Sequence, residues 1–177
     1  MKQGAIASRA RGTFLAEVPF VLWMFFFVLL FPIINLATMF VRLTFLYGAT
    51  HSACINAARA RSFLAPLNGE PTAVALAQAG ANGYAAAFTG IHVDSIDTVI
   101  VVTNITTLAQ TISTTPLTTP PDLNNFTYQV QVTVNGATDP FLIVPTVFGI
   151  SIAGLNQPLN LTISDRQYFE NPPGLIF

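Results

Sequence analysis

The chain has 177 residues, enough for one membrane helix and one small domain. It is 52% hydrophobic and only 8% charged, against ~25% charged residues in an average soluble domain, which argues against a wholly soluble protein. The net charge of −1 hides a split: six of the seven basic residues (Lys2, Arg9, Arg11, Arg42, Arg59, Arg61) precede position 62, and seven of the eight acids follow position 69, so no basic face remains for nucleic acid.

Residues 1–12 form a basic leader that ends at Gly12. Glu17 follows as a lone acid, and residues 18–41 then give 24 uncharged positions dominated by Phe, Val, Leu and Ile. A bilayer core of ~30 Å is crossed by ~20 apolar helical residues, whereas the apolar region of a removable secretory signal is only ~7–15 residues long. The stretch therefore predicts a membrane-spanning helix over about 18–41. Lys2, Arg9 and Arg11 precede it and only Arg42 lies close behind, so the positive-inside bias predicts a cytoplasmic N-terminus and an exported C-terminal part. At the start of a helix the carboxylate of Glu17 is favoured by the dipole, while deeper in lipid it would need a cation. If the chain were cut after Gly12, Thr13 would become position 1 and Glu17 position 5.

From Arg42 through Ala65 nothing breaks the helix except a tolerable Gly48, and Pro66-Leu67-Asn68-Gly69 supplies a stop, so the helix is predicted to run over 13–65, about 80 Å at 1.5 Å per residue. Pro32 lies inside it and cannot donate to the Val28 carbonyl, which predicts a kink or local melting there. Beyond Arg42 small residues recur at four-residue steps: Gly48 and Ser52, and Ala49, Ala53 and Ala57. Such spacing lets backbones approach closely, whether against another subunit or against the helix's own domain. His51 and Cys54 share i,i+3 spacing, but two ligands do not make a zinc site, and the single cysteine forms no intrachain disulfide. Cys54 reads as a small thiol packed in an Ala-rich helix.

Residues 71–88 read as a second, Ala-rich helix with Pro71 suited to its first turn. The period then changes. Asp97 to Thr103 is β-branched and bounded by polar residues. Tyr128 to Val134 alternates cleanly and is closed by the turn signal Asn135-Gly136. Leu159, Leu161 and Ile163 alternate with Asn160, Thr162 and Ser164. The Thr-rich stretch 103–121 reads as a solvated extended loop. Phe141 to Ala153 is uncharged and strongly apolar, too short to span a membrane, and suited either to the core or to contact with a partner or lipid. The expected fold class is α+β: a long N-terminal transmembrane helix extending into a small three- to four-stranded antiparallel sheet domain at 66–177, with the distal helix covering one sheet face.

A Gly before the cut, Glu at mature position 5 and an unbroken apolar helix together resemble the type IV pilin superfamily. The closer resemblance is to the TadE-like pseudopilins of tight-adherence (Tad) pilus systems. It is carried by Gly12, Glu17, the run Pro32-Ile33-Ile34-Asn35 and the run Asn56-Ala57-Ala58-Arg59-Ala60-Arg61, and covers residues 9–64 well. Asn35 stands where that family usually has an acid, and Pro19 falls just after Glu17-Val18. The resemblance implies a minor pseudopilin in the bacterial inner membrane, acting in pilus assembly and surface attachment. It implies processing by a prepilin peptidase at Gly12, Thr13 and Glu17, and subunit packing through Glu17, Asn35, Gly48, Ser52, Ala53 and Ala57. Its partners would be the membrane, the peptidase, other pilins or pseudopilins and the assembly machinery.

Two other readings stand beside it: an uncleaved single-pass anchor displaying a small binding domain, and a pseudopilin of a type II secretion system. An enzyme is not expected. Asp94 and Asp97 read as surface residues, no nucleophile motif such as G-x-S-x-G is present, no Gly-rich phosphate loop occurs, and nothing calls for a cofactor.

Overall fold

The computed structural model describes residues 17–143, 154 and 156–177. Helix α1 (Glu17–Ala58) is long and apolar enough to cross a membrane. Its C-terminal half lies on a four-stranded antiparallel sheet of β1 (Ile91–Asn104), β2 (Gln110–Ser113), β3 (Phe126–Thr138) and β4 (Leu159–Tyr168), in the order β2-β1-β3-β4. A second helix, α2 (Ala73–Ala85), packs on both α1 and β1, and a short 3-10 turn, Pro172–Ile176, ends the chain. This is an α+β arrangement, as the hydrophobic periods require.

The disturbance expected at Pro32 takes a definite form. Residues Phe25–Leu30 are wound as a π-helix, and the Phe31 N–H bonds to the Phe26 carbonyl, five residues back. A proline ring collides with the carbonyl four residues before it. The wider turn takes up the mismatch just ahead of Pro32, and the α-helix resumes at Phe31.

The helix ends at Ala58 rather than running to 65. Residues 59–65 have good helix propensity, but tertiary pairing overrides it. The Phe63 N–H reaches the Gly174 and Phe177 carbonyls at 3.2 and 3.1 Å, Leu64 N–H reaches Phe177 O at 2.8 Å, and Ser62 O accepts from Ala73 at 2.8 Å. This path turns the Phe63 ring into the core, where it is fully buried. The turn expected at 66–69 is present, with Asn68 and Gly69 at φ of 55° and 79°. Helix α2 is shorter than expected. The Thr72 hydroxyl caps it by accepting from Ala75 N at 3.2 Å, which satisfies one of the otherwise orphaned first-turn donors.

The alternation in 128–134 holds: Tyr128, Val130, Val132 and Val134 are buried against the helices, and the intervening residues are half-buried on the other face. The strand does not stop at Asn135-Gly136, however. It pairs with β1 all the way from Phe126 to Thr138, and the register shift lies opposite, between Val93 and Ser95. At this bulge a Cβ on Gly136 would collide with the His92 carbonyl, so the glycine serves close backbone approach in a continuing strand. The Thr-rich loop is also corrected in part, since Gln110–Ser113 forms edge strand β2 against Ile100 to Thr103.

The core joins the helices to the sheet. Leu46, Ala53, Cys54 and Ala57 from α1, and Ala73, Ala77 and Ala81 from α2, meet Ile100, Val130, Val132 and Val134, with Phe63, Phe169 and Leu175 closing one end. Phe45 stacks on Phe88 with ring centroids 4.0 Å apart, and Tyr84 lies 5.1 Å from the same ring, so aromatics clamp the two helices where the alanines leave off.

Candidate membrane-contact and assembly site

Every residue from Glu17 to Leu29 is exposed. They include Phe20, Trp23, Phe25, Phe26 and Phe27, each 46–63% accessible. Twelve uncharged positions with no protein cover are a surface that water disfavours at ~25 cal/mol per Å² of apolar area. Glu17 opens this surface and flanks Val18, Val21 and Leu22 in a shallow apolar groove. Gly12 and Thr13 lie outside the described residues.

The small-residue positions are taken up inside the chain. Ala49, Ala53 and Ala57 are fully buried, and Ser52 is half-buried. A Cβ on Gly48 would come within 2.6 Å of the Tyr84 hydroxyl, and one on Gly80 within 3.1 Å of Ala53 Cα. The stripe seats α1 on α2 of its own domain, the second of the two partners its spacing permits.

Asn35 is buried completely on a helix whose neighbours Ile33, Ile34 and Leu36 are exposed. Its side-chain amide makes two reciprocal bonds to one residue far along the chain: Nδ2 donates to Leu142 O at 2.8 Å and Oδ1 accepts from Leu142 N at 2.8 Å. The amide thus pairs with Leu142 as a neighbouring strand would. Of the apolar stretch from Phe141 to Ala153, the described residues Phe141, Leu142 and Ile143 are exposed; residues 144–153 lie outside the described set.

Two helix turns on, Arg42 donates to the Asp139 carbonyl at 2.6 Å, and the Asp139 carboxylate meets His92 Nε2 at 2.9 Å. The guanidinium crosses directly over Gly90, where a side chain would collide with it and where φ of 77° suits glycine. This polar knot ties the helix to the start of β1 and the end of β3. No sequence motif marks it, since its members are separated by 47 and 97 positions.

Further along α1, His51 Nδ1 lies 2.7 Å from Asp165 Oδ2 on β4, and its ring stacks on Tyr47. Cys54, one turn on, is fully buried and donates to the Val130 carbonyl at 3.5 Å, the packed thiol its Ala-rich setting implies. Glu170 faces Arg59 at 3.6 Å, but both are largely exposed and the pair contributes little.

No family model, curated protein or solved structure matches the chain.

Cys54 sits beyond the apolar span, under the sheet, and burial first, with the nearby Asp165 charge second, pushes its thiol from 9.0 up to about 12. Thiolate is the reactive form, so this shift leaves little of it near neutral pH. Iodoacetamide should leave Cys54 of the folded protein unmodified while labelling it fully in guanidinium. Rapid labelling of the folded chain, followed by mass spectrometry, would contradict the buried position.

Proposed function

We propose that this chain is a minor pseudopilin-like subunit of a Tad-type pilus, acting in pilus assembly and surface attachment after a prepilin peptidase removes residues 1–12. The observation that carries the reading is the uncovered apolar half of α1 headed by Glu17, with Gly12 five positions before it. Such a helix needs lipid around it before assembly and neighbouring helices around it afterwards. Cleavage at Gly12-Thr13 creates an ammonium on Thr13, which can pair with Glu17 of its own or an adjacent chain and so offset the carboxylate's loss of hydration. The chain sits in the bacterial inner membrane with its N-terminus in the cytoplasm and its sheet domain outside. Its partners are the peptidase, other pilins or pseudopilins and the assembly machinery.

The mature N-terminus tests this directly. Protein purified from membranes of a host with a prepilin peptidase should begin at Thr13, and protein from a peptidase-deficient host at Met1. A Met1 start in both hosts would favour the second reading, an uncleaved anchor that displays a small binding domain. That reading draws on the small-residue stripe: with Gly48, Ala53 and Ala57 packed on α2 and the sheet, the distal half of α1 has no small-residue face left for a second subunit.

A further inference from the structure

The Asn35–Leu142 pairing lies at a depth that gives it a purpose. If Glu17 marks one edge of the hydrocarbon, Asn35 lies about 27 Å along the axis and Arg42 about 37 Å, at 1.5 Å per residue. The hydrocarbon is ~30 Å thick. Asn35 then falls just inside the edge nearest the domain, and Arg42 with Asp139 and His92 falls among the headgroups.

We propose that Phe141, Leu142 and Ile143 enter the domain-side leaflet and pack against phospholipid acyl chains, held at that depth by Asn35. The proposal rests on α1 spanning the bilayer. Non-helical backbone is tolerated at membrane depth only when its N–H and C=O groups are paired within the protein. Asn35 supplies both partners for Leu142, at 2.8 Å each, while leaving the three side chains 55%, 40% and 76% exposed. That is inverted relative to a water-facing loop, whose backbone can be solvated and whose large apolar side chains turn inward. Ile34 and Leu36, which flank Asn35 on the helix, are exposed as well. Farther along the helix, Leu36, Met39, Phe40 and Leu43 line an apolar groove of about 200 Å³ with Leu159. Along the helix, Arg42 is the first charged residue after Glu17, and it joins the knot with Asp139 and His92. An apolar band followed by charged groups matches the order of acyl chain and headgroup in one leaflet. The domain therefore rests on the membrane at a second point instead of standing off it on the helix.

The test uses the full chain in phosphatidylcholine–phosphatidylglycerol vesicles, with a bimane probe on Ile143→Cys, Val28→Cys or Leu123→Cys; the buried Cys54 is left in place. Nitroxide-bearing lipids quench probes at matching depth. Val28→Cys should be quenched by lipid labelled near the chain end. Ile143→Cys should be quenched by lipid labelled near the headgroup, about threefold more than Leu123→Cys, which lies beyond the opposite end of the sheet from the hydrocarbon. Adding Asn35→Leu should lower quenching at Ile143→Cys to the Leu123→Cys level and leave Val28→Cys unchanged. If Val28→Cys is quenched but Ile143→Cys is not, the span stands and this inference fails. If Val28→Cys is not quenched, the span itself fails. Disulfide-linked dimers through Ile143→Cys without lipid quenching would assign the surface to a second copy and overturn the proposal. Unchanged quenching in the Asn35→Leu protein would remove Asn35 from it.

Discussion

Phe63→Ala should cost the domain ~3–5 kcal/mol, the range for emptying a packed aromatic site. Phe63 is the largest fully buried side chain among the described residues. It stands where three parts of the chain meet: the end of α1, the approach to α2 and the C-terminal turn. Its N–H bonds to the Gly174 and Phe177 carbonyls, and its own carbonyl accepts from Val74 at 3.4 Å. The backbone at this position is thus held by hydrogen bonds on both sides, which limits how far the site can collapse. For a domain of this size the loss should lower the melting temperature by roughly 10–20 °C. Thermal unfolding followed by near-UV circular dichroism in detergent checks it. A shift of under about 3 °C would mean that the site relaxes, and that the C-terminal turn is not part of the cooperative unit.

That site also shows why the helix boundary was hard to read. Ala60, Arg61, Leu64 and Ala65 are good helix formers, and nothing local stops the chain before Pro66. The stop comes from Phe177 and Gly174, more than a hundred positions away, whose carbonyls take the N–H groups of Phe63 and Leu64. The strands facing the core were legible because one face is apolar and the other polar, as in Tyr128 to Val134. Strand β2 was not. Its single apolar residue, Ile112, is 57% exposed, and the strand is held by its ladder to β1 and not by burial. Asn135-Gly136 carries a turn signature, yet Gly136 is needed there because the His92 backbone passes too close for any side chain.

The candidate site divides in the same way. Twenty-four uncharged positions announce themselves in any reading of the sequence. The small-residue stripe was legible as a pattern, but its partner was not, since Gly48, Ala53 and Ala57 have the same spacing whether they meet a neighbouring subunit or α2. Asn35 stood out as a polar residue in an apolar run. What it binds lies 107 positions away, in a segment whose own sequence says only that it is apolar. Pairing across that distance leaves no periodic trace, and only the fold brings it into view.

Glu17→Gln should separate membrane insertion from assembly. Moving a carboxylate to the centre of a membrane helix costs ~2.5–3.5 kcal/mol on insertion scales, and Glu17, at the edge of the apolar run, bears a part of that cost. The amide keeps the shape and removes the charge, so the level of the variant in the membrane fraction should equal or exceed that of the unaltered protein. Assembly should move the other way. On the proposed reading, Glu17 accepts a charge-assisted hydrogen bond from a Thr13 ammonium, and such bonds are worth ~1.5–3 kcal/mol. Its loss corresponds to roughly a 10- to 150-fold weaker association, read as co-purification with pilus components at matched membrane levels. A plain anchor has no reason to show opposite changes, because its carboxylate meets only headgroups and water. Full membrane level with full co-purification would take Glu17 out of the mechanism, and the anchored binding domain would then be the better account of this chain.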